Sequence, residues 1–313
     1  MSGERPSALP ALTGISAGPW LVLAASVLWG TTGTSQALAP AEASPLAIGS
    51  LRLTLGAAVL LAAAATRGAV TRETITRAPG PLLGVAAGIA IYQLAFFSGV
   101  RLTGVAVGTL VGIGSSPIFA GVFSWLVDGE RPSARWYLAT IVALAGCALL
   151  VLPDGNDAAA RVHPLGIALT LLAGAAYAAL SLAGQRLGHR VPADAGMAIA
   201  FAGGALALAP VLARQDLTWL TDVRAAAVVL HLGILATAVP YVLYVRALRT
   251  VPVSSAVTLT LAEPLTAAML GLFLLGERLP PAGVAGLTCL VAGLALLVTG
   301  TPGGGRQASR ASL

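Results

Sequence analysis

Ten long apolar runs, each of about 20 residues and separated by short segments rich in Arg, Pro and Gly, divide this chain from end to end. A helix rises about 1.5 Å per residue, so a run of that length spans the ~30 Å hydrocarbon layer of a bilayer. The runs are Trp20 to Ala39, Leu46 to Ala65, Leu82 to Val100, Val105 to Val127 and Trp136 to Leu152 in the first half. The second half carries Leu165 to Gly184, Ala195 to Ala213, Ala225 to Val245, Val253 to Leu275 and Gly283 to Thr299. They are continuous rather than alternating, which excludes membrane strands of about 10 residues. An all-α membrane protein of ten transmembrane helices is expected.

Charge agrees with that reading. Charged residues make up 10% of the chain and hydrophobic residues 57%, whereas soluble domains carry about 25% charge. All of the basic residues are arginine, scattered between apolar runs, so they form no patch suited to nucleic acid. With the N-terminus inside, the inner segments hold Arg5, Arg67, Arg72, Arg77, Arg131, Arg135, Arg186, Arg190, Arg246, Arg249, Arg306 and Arg310. The outer loops hold only Arg101, Arg161, Arg214, Arg224 and Arg278. This asymmetry places both termini in the cytoplasm of a multi-pass protein of the cell membrane. Ala39-Pro40-Ala41 resembles a signal-peptidase site, but the preceding run is longer than a signal sequence requires.

The halves repeat. Shifting the sequence by 147 positions brings Pro117 onto Pro264, Gly129-Glu130-Arg131 onto Gly276-Glu277-Arg278, and the run from Ala145 to Val151 onto Ala292 to Val298. Five spans per half is an odd number, so the second half enters the membrane from the opposite side. The resulting division is a cytoplasmic tail at 1–19, a first five-helix repeat at 20–152, a second at 164–299, and a cytoplasmic tail at 300–313. Inverted repeats of this kind suit alternating access, because exchanging the halves' conformations exchanges the open side.

Trp29-Gly30 in the first span, Arg52 in the second, Pro117 with Gly129-Glu130-Arg131 in the fourth, and Glu263-Pro264 through Gly276-Glu277-Arg278 in the ninth together resemble the drug/metabolite transporter superfamily, specifically its EamA-type ten-helix exporters. The resemblance extends from about Trp20 to Thr299. It implies two inverted five-helix repeats around a central cavity and a small-molecule substrate such as an amino acid or related metabolite. One departure is Gln36, where many members carry lysine.

Glu263 stands ten residues into its span, about 15 Å along the helix, where a charged carboxylate is costly unless it faces protein or water. It is a candidate for proton coupling or for holding a substrate amine, and equally for a neutral structural acid. Pro264 and Pro117 free the carbonyls of Thr260 and Ile113, placing polar groups, Ser116 among them, beside an expected break in each repeat. Arg52 lies about 9 Å inside its span. Snorkelling to the surface or packing on helix-end carbonyls is favoured for it over binding a substrate carboxylate. Trp29, Tyr92, Gln93, Tyr177 and Tyr241 fall on spans that line the cavity in the resembled family, where they stack on or hydrogen-bond a solute. For each one taken alone, packing is the simpler role.

Catalytic signatures are weak. There is no P-loop, and the one Gly-x-Ser-x-Gly match, Gly14 to Gly18, lacks the strand-turn-helix setting that a nucleophile needs. Cys147 and Cys289 are lone thiols, His163, His189 and His231 are scattered, and neither a metal nor another cofactor is indicated. An intramembrane enzyme and a noncatalytic membrane subunit remain the alternatives to a secondary transporter. Reporter fusions to the two ends are expected on the same cytoplasmic side; opposite sides would exclude an even number of spans.

Overall fold

The computed structural model describes residues 17–151, 163–274 and 280–300. Among them every regular element is helical: α1 (Ala17–Ala37), α2 (Pro45–Ala65), the short α3 (Arg72–Arg77), α4 (Pro79–Thr103), α5 (Val105–Asp128), α6 (Ala134–Val151), α7 (Pro164–Arg190), α8 (Ala193–Leu212), α9 (Val223–Gly233), α10 (Val239–Ala247), α11 (Val253–Leu259), α12 (Ala262–Leu274) and α13 (Pro281–Gly300). A 3-10 turn, Thr218–Thr221, precedes α9, and a π-helical turn, Ile234–Ala238, joins α9 to α10.

Eight helices are long and apolar enough to cross a membrane, counting α9 to α10 and α11 to α12 as single rods. The first and fifth expected spans fall short of that measure. The polar run Thr31-Thr32-Gly33-Thr34-Ser35-Gln36 dilutes α1, and the apolar part of α6, Ala134–Leu150, is shorter. The ninth expected span is not one helix, because the chain breaks at Thr260-Leu261. Gly276-Glu277-Arg278 lies outside the described residues, as does the linker at 152–162.

Local chemistry sets the boundaries. Ser44 caps α2 by accepting the Ala47 N–H at 3.0 Å, with Pro45 preorganised as the first helical residue. Asp222 caps α9 through the Arg224 N–H. A single residue, Gly104, separates α4 from α5, and its φ of 82° lies in the region that glycine enters without a Cβ penalty.

Within lipid, helices associate through close packing and interhelical hydrogen bonds rather than by escaping water. α4 lies antiparallel along α7, with Gly84, Gly88 and Gly99 facing Ala183, Leu180 and Thr170 in turn. α1 packs on α10 and α12, α2 on α8, and α5 on α7 and α11. α6 and α13 also cross antiparallel: Gly146 meets the backbone of Gly286 and Leu290, while Gly293 meets that of Ala139 and Ala143. A methyl group at position 146 would fall 2.6 Å from the Leu290 nitrogen. Gly146→Val is therefore expected to cost about 1–3 kcal/mol of stability in detergent-solubilised protein, read by thermal unfolding. Gly33→Val, with open space around it, should leave stability unchanged.

Candidate functional site

The site grows from the break in the ninth rod. Pro264 has no N–H to offer the Thr260 carbonyl, so α11 ends and α12 restarts two residues later. The Glu263 N–H reaches back to the Thr260 carbonyl at 2.9 Å, and the Leu261 N–H reaches the Thr258 carbonyl at 3.1 Å. Tight turns thus replace part of the lost ladder. Glu263 falls in the first turn of α12, where the exposed N–H groups favour an anion. Protein surrounds its carboxyl, and none of residues 263–270 is fully buried or fully exposed. The matching proline in the first repeat acts differently: α5 runs unbroken through Pro117, so the expected second break is absent. Ser115 and Ser116 hydroxyls both donate to the Gly112 carbonyl, at 3.2 and 2.9 Å.

α1 seats directly on the break. Gly30 presses against the Glu263 carbonyl and Thr266, leaving no room for a Cβ. The neighbouring Trp29 meets Tyr241 edge-on at 4.9 Å, Tyr244 at 5.5 Å and Tyr177 at 6.3 Å between ring centroids. Tyr92 continues the cluster, 5.7 Å from Tyr177, and Phe201 closes it, 4.8 Å from Tyr241. Glu263 lies within electrostatic reach of Tyr92, Tyr177 and Tyr241. Helices α1, α4, α7, α8 and α10 therefore converge on one largely buried aromatic cluster, with Glu263 of α12 within electrostatic reach of it.

Arg52 does not snorkel. It is only 6% exposed, turned into the bundle, where its Nη2 donates to Gln93 Oε1 at 3.1 Å and its guanidinium lies 5.8 Å from the Phe97 ring centroid. Gln93 is fixed in turn by donating its Nε2 to the Gly49 carbonyl at 2.9 Å. An interior acceptor and an aromatic face thus replace the membrane surface that helix rise alone suggested. Among the described residues the Arg52 Nε has no partner, and Arg52 lies within electrostatic reach of Glu263 without forming an ion pair.

Of the residues singled out from sequence, Trp29, Tyr92, Tyr177, Tyr241 and Glu263 come together, with Arg52 alongside. Gln93 holds Arg52 instead of joining the cluster, and Ser116 is buried against its own helix. Tyr244 was missed, although its spacing of three from Tyr241 places both on one helical face. It donates to Ser181 Oγ at 2.9 Å. His231 bridges to α1 through Thr31 Oγ1 at 2.8 Å, just before the π-helical turn.

Comparison with known proteins decides the affiliation. The EamA-like transporter family model matches residues 16–152 and again residues 164–299. The chain belongs to the EamA-like transporter family. This transporter is 41% identical over 283 residues to the uncharacterized transporter YwfM of Bacillus subtilis strain 168, covering 90% of this chain and 93% of that one. It is 30% identical to the threonine/homoserine exporter RhtA of Escherichia coli K12, covering 87% and 88% respectively. One solved crystal structure shares the fold at a TM-score of 0.79 and 21% identity, spanning 92% of this transporter and 98% of that chain. It is a multi-pass membrane protein whose family acts on small molecules. Gln93→Leu removes the acceptor that holds the Arg52 cation and is expected to lower stability by about 1.5–3 kcal/mol, measured as a fall in unfolding temperature.

Proposed function

We propose that this transporter is a ten-span secondary carrier of two inverted five-helix repeats, 20–152 and 164–299, that exports a zwitterionic amino acid or close relative from the cytoplasm. The observation that carries the substrate class is that Arg52 and Glu263 both lie within electrostatic reach of Tyr92 and Tyr241 and of each other, yet form no ion pair. A free amino acid carries a carboxylate for the guanidinium, whose Nε lacks a partner among the described residues, and an ammonium for Glu263. Trp29, Tyr92, Tyr177 and Tyr241 supply apolar walls and cation-attracting ring faces. The name of RhtA supports the same substrate class and the outward direction.

Inversion is supported by the α6 and α13 crossing. At the offset of 147, Ala139, Ala143 and Gly146 correspond to Gly286, Leu290 and Gly293. Each contact between the two helices is therefore matched by its exchanged twin: Gly146 with Gly286 and Leu290, Gly293 with Ala139 and Ala143. A self-complementary antiparallel contact requires a twofold axis across the helices, and for spanning helices that axis lies in the membrane plane. The family model's two matches, one per half, agree.

Two ion pairs join the repeats, Arg67 to Asp194 at 3.0 Å and Arg186 to Asp128 at 2.6 Å, both at the end assigned to the cytoplasm. Partly exposed pairs of this kind contribute about 0–1 kcal/mol each. They tie the end of α2 to α8 and α5 to α7, helices that already pack on one another. Glu263 serves as the site that a proton and the substrate ammonium occupy in turn, coupling export to the proton gradient.

Thermal shift of the purified protein tests the binding site. Threonine at about 100 times its Kd should add about 2.7 kcal/mol of apparent stability. Its methyl ester and its N-acetyl derivative, each lacking one charge, should give little. No shift with any amino acid would overturn the substrate assignment. Glu263→Gln should abolish both the shift and any pH dependence of flux, and unchanged pH dependence would remove the coupling role.

A further inference from the structure

A cleft of about 520 Å³ opens between α5 and α6, and transport as described makes no use of it. Its apolar walls include Ile118, Trp125 and Ile141, all largely exposed, and it runs inward to Leu144. Because these residues belong to membrane-spanning helices, lipid is the medium that faces them. Two polar features stand at the opposite end. Trp136 lines the cleft and is 6% exposed, yet its indole N–H has no acceptor among the described residues. Arg131, in the loop after α5, lies with its guanidinium 5.7 Å from the Trp125 ring centroid and forms no ion pair among the described residues.

The order of these features along the membrane normal identifies the occupant. Eight residues of helix, about 12 Å, separate Leu144 from Trp136, and Arg131 lies beyond them at the helix end. From the mid-membrane outward the cleft therefore offers an apolar floor, then one N–H donor, then one cation. A phospholipid presents the complement in the same sequence: acyl chain, ester carbonyl, phosphate. We propose that this cleft binds one anionic phospholipid, its phosphate on Arg131, an ester carbonyl on the Trp136 N–H, and an acyl chain along Ile118, Ile141 and Leu144. The chain then lies beside Pro117, inside α5.

Native mass spectrometry of the full-length protein, released from detergent with equimolar phosphatidylglycerol and phosphatidylethanolamine, tests the assignment. One phosphatidylglycerol should be retained with about fivefold preference, the contribution of one arginine to an anionic headgroup. Arg131→Gln should abolish the preference and Arg131→Lys should keep most of it. Arg249→Gln, an exposed arginine outside the cleft, should leave it intact. Trp136→Phe should reduce retention of both lipids by removing the N–H. Equal retention of the two lipids, a preference surviving Arg131→Gln or falling equally with Arg249→Gln, or burial of the cleft in a dimer would overturn the proposal.

Discussion

Hydrocarbon offers no hydrogen-bond partner to a peptide group, so a broken helix at membrane depth survives only where protein or a water-filled cavity surrounds it. The break at Thr260-Leu261 imposes that condition on its neighbours. α1 lies against it so closely that position 30 admits only glycine. Thr258 and Thr260 turn their hydroxyls back to the Ser254 and Val257 carbonyls, at 2.9 and 2.7 Å, and Thr258 also meets Thr140 of α6 at 3.2 Å. The same requirement applies to charge. Arg52 and Glu263 are tolerated because Gln93, a phenylalanine ring and a helix N-terminus replace bulk water around them.

Packing strength is unevenly distributed, and that unevenness suits a carrier. The α4–α7 and α6–α13 contacts are glycine-mediated and close, with backbone against backbone. The ends bearing Asp128 and Asp194 are joined across the halves by partly exposed ion pairs, which are individually weak. Each of these tight pairs joins a helix of one half to a helix of the other, so each moves as a unit and opening takes place between such pairs, not between one intact half and the other. The π-helical turn at Ile234–Ala238, next to the His231–Thr31 bridge, adds a second local irregularity on the α1 side of the cluster.

Much of this was legible in the sequence because the controlling signals are one-dimensional. Apolar run length gave the helices, and the Glu263-Pro264 pair marked the break, since a missing N–H acts on a residue at fixed spacing. Trp29, Tyr92, Tyr177 and Tyr241 could be gathered because they fall on spans that line the cavity in the resembled family. Three things needed coordinates. Arg52 turns inward because Gln93 and Phe97, on another helix, receive it, and helix rise carries no information about that. Pro264 interrupts its rod while α5 runs on through Pro117, a difference that the shared residue type does not carry. Gln93 is bonded to Arg52 and to the Gly49 carbonyl, contacts on another helix that its polarity alone does not reveal.

The central claim is that one site, set between Arg52 and Glu263, carries an unmodified zwitterion across the membrane. Counterflow in proteoliposomes loaded with unlabelled threonine measures this most directly. The account predicts uptake of labelled threonine in exchange, recovered chemically unchanged and lost with Glu263→Gln. Absence of exchange for every amino acid offered, or release of a chemically altered product, would contradict it.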